Sequence, residues 1–279
     1  VYIPNSNNTD RAYWYGQVSS YLQSKGIAWT TWDYQGGFGL FNKGSNQQFD
    51  YDLNVPLLNA LGLTVPPQQV YTLKPDSVGF DIYTDYTGEN MLESGGGSGA
   101  VTDFYSDSKP NNGKYCLSWR GSSQYGSVGV DFVPDKDLSK LRAQNYALSM
   151  LVRGNTPGTK FDLRFMDTKK DASDHPWRMN FTIDENTVKW DGKWHKVFIP
   201  LTRFVDGGSW DNGWFNPTGA FDWSATDRFE IVAEQMNMTG KTLWFDNIQI
   251  SNIDSAQVYE SSVFTDLSRK IYCLSERTG

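Results

Sequence analysis

Residues 160–184 read KFDLRFMDTKKDASDHPWRMNFTID. Phe161, Leu163 and Phe165 alternate with Asp162 and Arg164, and after a polar turn Met179, Phe181 and Ile183 alternate with Arg178, Asn180 and Thr182. A period of two places one set of side chains on a core face and the other on the opposite face of a sheet. Working outward, KYCLSWRG, GSVGVDFVP, YALSMLVRG, HKVFIPLTRF, DRFEIVAEQ and KTLWFDNIQIS carry short strand-like runs between Gly, Pro, Asn and Asp turns. These runs make about eight strands with no long helix among them. The expected fold is therefore mainly β: an antiparallel β-sandwich or jelly roll spanning 78–253.

The period differs upstream. DRAYWYGQVSSYLQSKG, from Asp10 to Gly26, has helical spacing, with Asp10 expected as N-cap and Gly26 as the residue after the helix. IAWTTW, Ile27 to Trp32, reads as a short buried strand of a parallel sheet. DLNVPLLNALGL, Asp52 to Leu63, reads as a second helix with Pro56 in its first turn. Strand and helix alternate, which is an α/β pattern too short for a domain of its own. Pro66-Pro67 sits in an extended linker over 64–77, and 254–279 is a tail without pattern.

The 279 residues include 25 Lys+Arg against 32 Asp+Glu, a net charge of −7. No basic cluster is available to displace phosphate counterions, so nucleic acid is not an expected partner. No apolar run approaches about 20 residues, so no membrane partner is expected either. No charged-then-apolar leader opens the chain, so no signal peptide is expected in it. Cys116 and Cys273 are too few for a disulfide framework, and Cys116 is expected to be an inert buried thiol. Aromatic residues reach 15%, with 11 Trp, 15 Tyr and 16 Phe. Such a surplus suits either stacking on neutral sugar rings or a large aromatic core.

VYIPNSNNTDRAYWYGQ, GIAWTTWDYQGGFGLF and LLNALGL resemble the end of a glycoside hydrolase family 5 (β/α)8 barrel. That resemblance implies that 1–63 is the C-terminal, incomplete segment of such a barrel. It implies a nucleophilic Glu just upstream of Val1 and an acid/base Glu further upstream. Both catalytic glutamates would then be absent from this chain, which alone is expected to be inactive. Trp32 would end the eighth strand and floor the sugar subsite; the other reading packs it between barrel and helices.

GSVGVDFVPDKDLSKLRAQNYALSMLVRG, KFDLRFMDTKKDASDHPWRMNFTID, KWHKVFIPLTRF and GKTLWFDNIQI resemble family 11 carbohydrate-binding modules over roughly 79–252. The resemblance implies a jelly roll that binds β-1,4- or mixed-linkage β-glucan. Within SDHPWRMNF, Asp174 and His175 fall near the family's polar contacts and Trp177 near an aromatic. In DGGSWDNGWFN the family's loop contacts are matched by Trp210, Asp211 and Trp214, without an Arg. Family tyrosines are replaced by Glu234 and Gln124. The loop setting of Trp210 and Trp214 suits ligand or domain-interface contact, against ordinary core. Trp119, Trp190, Trp194, Trp223 and Trp244 lie on or beside strands and read as core. Modules of this type often carry a structural Ca2+, and Asp81, Asp85 and Asp246 are the oxygen donors expected for it.

Together the resemblances imply the C-terminal part of a secreted, extracellular endo-β-1,4-glucanase (a cellulase), hydrolysing with retention when complete. The alternative is a sandwich that packs on and stabilises the barrel without binding sugar by itself.

Overall fold

A computed structural model describes residues 7–31, 39–42, 45, 47–70, 72–96, 99–171 and 173–254. The chain separates into two compact units with the boundary after Thr72, inside the expected linker.

In the first unit, helix α1 runs Asn8–Ser24 and α2 runs Val55–Ala60. The N-cap of α1 is Asn7 rather than Asp10: the Asn7 side-chain oxygen accepts the Asp10 N–H at 2.8 Å. Gly26 ends the helix at φ +66°, which a glycine adopts without steric cost. Asn54 caps α2, whose first turn tolerates Pro56 because no N–H is needed there. Gly16 lets the helices close together, since a Cβ at that position would lie 3.3 Å from Ala60. The expected strand at Ile27 differs. Residues 27–31 pair with no strand and Ile27 is exposed, while Trp32 lies outside the described residues. A barrel strand is held by neighbouring parallel strands, and the described residues of this unit supply none.

The second unit holds thirteen described strands. They are β1 Phe80–Tyr83, β2 Met91–Gly96, β3 Val101–Ser106, β4 Cys116–Arg120, β5 Ser127–Lys136, β6 Ala147–Gly154 and β7 Phe161–Asp167. There follow β8 Trp177–Ile183, β9 Trp194–Pro200, β10 Val205–Trp210, β11 Trp214–Phe215, β12 Thr226–Val232 and β13 Thr242–Ser251, with a short helix α3 at Ser139–Ala143. One sheet has the order β3-β4-β13-β6-β9, with β1 also on β13; the other is β11-β10-β8-β7-β12-β5-β2. All of these pairings are antiparallel.

The alternation seen in the sequence makes the core. Phe161, Leu163, Phe165, Phe229, Ile231 and Phe132 from the seven-stranded sheet meet Leu117, Leu148, Met150, Val152, Val197 and Phe245 from the six-stranded one. Each large apolar side chain fully buried this way contributes about 1.5–3 kcal/mol. The result is a β-sandwich whose outer sheet faces carry the polar half of each strand.

Candidate functional site

On the outer face of the seven-stranded sheet, register brings charged side chains into rows. Asn180 of β8 lies opposite Arg164 of β7, which lies opposite Glu230 of β12. These are not solvated surface charges: Arg164, Arg178 and Glu230 are 6%, 6% and 8% exposed. Arg164 pairs with Glu230 at 3.5 Å and with Glu234, and its Nε donates to Asn180 at 3.3 Å. Asp162 accepts from Thr182 at 2.7 Å and from Gln235 at 3.0 Å. Burial pushes the Glu230 carboxyl above its ordinary range, opposed by Arg164 and Arg228. Groups fixed in this way present hydrogen-bonding atoms whose ordering is already complete before any ligand arrives.

The rim of this face is the β10–β11 hairpin. Trp210 and Trp214 are directly opposite in the ladder, so both project from one side of the ribbon. They are 64% and 51% exposed. The Trp214 indole lies over Gly208, where a Cβ would meet the ring at 3.0 Å. Arg178 stacks on that ring at 4.9 Å while donating to the Gly207 and Gly208 carbonyls, and Trp214 Nε1 donates to Asn216 at 2.9 Å. The ring is therefore held in place although half of it faces solvent.

Behind the hairpin, His175 stacks on Phe215 with centroids 3.5 Å apart, and its Nδ1 lies 3.1 Å from Asp211. Hydrogen bonds from Lys169 and His175 hold the Asp211 carboxyl below its ordinary range. Asp174 accepts the Trp177 indole N–H at 3.1 Å, and the backbone N–H of Lys170 is the main cause of its lowered pKa. Below them Asp167 accepts the backbone N–H groups of Trp177 and Asp222, and burial pushes its carboxyl up to about 7.

The structure thus gathers Asp174, His175, Trp177, Trp210, Asp211 and Trp214 at one end of one sheet. Trp177 is buried and donates to Asp174; His175 and Asp211 are engaged with each other, and the two hairpin tryptophans are open. Sequence reading missed Arg164, Arg178, Asn180 and Glu230. Their signal was present as polar residues alternating with the core set, but alternation alone reads as a solvated face.

The donors expected for calcium are Asp81, Asp85 and Asp246. Asp81 is exposed on β1. Asp85 accepts the backbone N–H groups of Lys114 and Tyr115, at 2.8 and 3.0 Å. Asp246 is buried and accepts those of Asn111, Asn112 and Asn247. Asp85 and Asp246 thus clamp the loop 111–115 through its backbone N–H groups. Among the described residues no three His, Cys, Asp or Glu side chains converge to hold a metal.

The family profile described as carbohydrate binding domain 30 matches residues 81–252. The chain belongs to that family. The match covers the sandwich, whereas the sequence resemblance pointed to family 11. Among solved structures, the family 30 module is similar to that of a cellulosomal cellulase of Clostridium thermocellum, at 18% identity, 63% of this chain, 98% of that one and TM-score 0.45. It is also similar to a family 11 module of Clostridium thermocellum, solved with a β-1,3-1,4-mixed-linked tetrasaccharide, at 16% identity, 63% of this chain, 97% of that one and TM-score 0.43. No curated protein matches the chain.

Proposed function

We propose that the family 30 sandwich binds a β-1,4- or mixed-linkage β-glucan on the outer face of its seven-stranded sheet. The observation that carries this reading is the pair of cross-strand tryptophans, fixed in place yet open to solvent, beside a row of ordered polar groups. An indole face stacks on the apolar C–H face of a pyranose, while Glu234 and Asn180 on the outer face suit its hydroxyls. Two such platforms contribute about 2 kcal/mol, by analogy with aromatic pairs. Replacing Trp210 and Trp214 together by Ala should weaken retention on a β-glucan affinity gel by roughly thirtyfold. Unchanged retention would remove the hairpin from the site.

The wider reading is that this module serves a secreted endo-β-1,4-glucanase. Its support is the likeness of residues 1–63 to the end of a family 5 barrel, whose remainder, with both glutamates, would be the partner that this unit completes. On that reading the 279 residues alone release no reducing ends from barley β-glucan. Release by material shown by mass spectrometry to hold only this chain would overturn it.

A further inference from the structure

Three tyrosines meet at the opposite edge of the sandwich. Tyr86, in the β1–β2 loop, Tyr105 on β3 and Tyr115 just before β4 have ring centroids 5.8 to 6.1 Å apart. Tyr86 and Tyr105 are 57% and 49% exposed. The Tyr115 ring stands at 88° to Tyr105 and 78° to Tyr86, so each exposed ring keeps a broad surface free. Glu93 borders the patch, its Oε1 accepting from Tyr105 Oη at 2.8 Å and Thr87 Oγ1 at 2.9 Å.

We infer that this tyrosine cluster is a second glycan platform, distinct from the tryptophan hairpin. The inference rests on the glucan-binding reading above and deepens it. Tyrosine carries only two side-chain torsions and these three brace one another, so little ordering remains when a ring stacks on them. Glu93, held at the border, is an acceptor for a sugar hydroxyl. Asp103 accepts the Tyr105 N–H, Asp85 accepts the Tyr115 N–H and Glu93 accepts from Tyr105 Oη, while Lys114 lies over the Tyr115 ring at 4.6 Å; three carboxylates to that one ammonium disfavour an anionic ligand and suit a neutral polyol. Glu93, at the border of the patch, is on β2, and β2 and β11 are the two ends of the seven-stranded sheet, six strand spacings apart, or about 29 Å at roughly 4.8 Å each. The two platforms therefore engage different stretches of glucan, and together they give avidity and can bridge chains.

The test uses the full 279-residue chain as wild type, Tyr86→Ala/Tyr105→Ala, Trp210→Ala/Trp214→Ala and the fourfold variant, on barley β-glucan gels. The tyrosine pair should lower retention about fivefold and abolish wild-type turbidity with soluble β-glucan while the tryptophan site still binds. Wild-type retention and turbidity in the tyrosine variant, with retention lost in the tryptophan variant, overturns this inference and leaves the hairpin site standing. Loss in the tyrosine variant alone keeps the inference and removes the hairpin; no loss in either removes both. A changed sedimentation coefficient of the tyrosine variant without sugar makes the patch a self-association face and overturns the proposal. Should that variant melt early, Tyr86→Ala alone, at a loop position, decides the same question.

Discussion

Each sheet has an Arg–Trp cluster on its outer face, and the two differ in what covers them. On the six-stranded sheet Arg153 lies over Trp244 at 4.2 Å and Trp194 at 5.0 Å, between them capped by the loop before β4. Arg153 donates to the Ser108 carbonyl and Trp194 Nε1 to the Lys109 carbonyl at 3.1 Å. Asp246 and Asp85 clamp the rest of that loop through backbone N–H groups. On the seven-stranded sheet Arg178 meets one ring, Trp214, and nothing among the described residues closes over Trp210. The same cation–π chemistry is structural where a loop covers it and available to a ligand where the loop is replaced by an open hairpin.

The largest effect should come from breaking the covered cluster. Arg153→Ala removes a buried cation and its packing on two indoles, a loss of about 3 kcal/mol. The melting temperature of the sandwich should fall by roughly 9 °C in calorimetry, with retention of the folded protein on glucan gels unchanged. Weaker glucan binding at a temperature where the variant is folded would erase the distinction between the faces.

The open cluster should respond in the opposite sense. Trp210→Ala/Trp214→Ala should lose its roughly thirtyfold in retention with a melting shift below about 2 °C, since both rings are at least half exposed. A large drop in melting temperature with retention intact would make the hairpin part of the core.

Acidity acts on both faces in one direction. Burial pushes Asp246, on the covered face, and Asp167, behind the hairpin, each from 3.8 to about 7. A raised folded pKa means that the folded chain binds these protons more tightly than the unfolded chain. The stabilisation is complete below 3.8 and is lost as pH rises to about 7, so melting temperature should rise as pH falls from 8 to 5. Asp174 and Asp211 are held below their ordinary range and titrate outside that window. A melting temperature that falls steadily over the same interval would contradict the burial of both carboxyls.

The smallest effect belongs to chelation. Because Asp85 and Asp246 already hold the loop through backbone N–H groups, EDTA should move the melting temperature by less than about 1 °C. A fall restored by Ca2+ would return calcium to the covered face.

All eight strand runs read from the sequence lie on strands, because each carries apolar residues at every second position. The runs left unread were β1, β2, β3, β10 and β11. MLESGG and VDGGSW carry glycine where a core residue would signal a strand, and β11 is only Trp214–Phe215. Cys116 is buried as expected, with its thiol pushed up to about 12 by that burial, while Cys273 lies outside the described residues. Of the five tryptophans read as core, Trp119, Trp190 and Trp194 are buried and Trp223 and Trp244 partly so.

What the sequence by itself determined is the sandwich, because side-chain alternation and turn chemistry are local and survive without knowledge of partners. What only the tertiary structure decided is which rings are open. Arg153 reaches Ser108 across 45 positions and Asp246 reaches Asn111 across 135, and those distant contacts close one tryptophan cluster. Exposure is a property of what folds over a side chain, and a covering loop so far along the chain leaves no mark on the residues it hides.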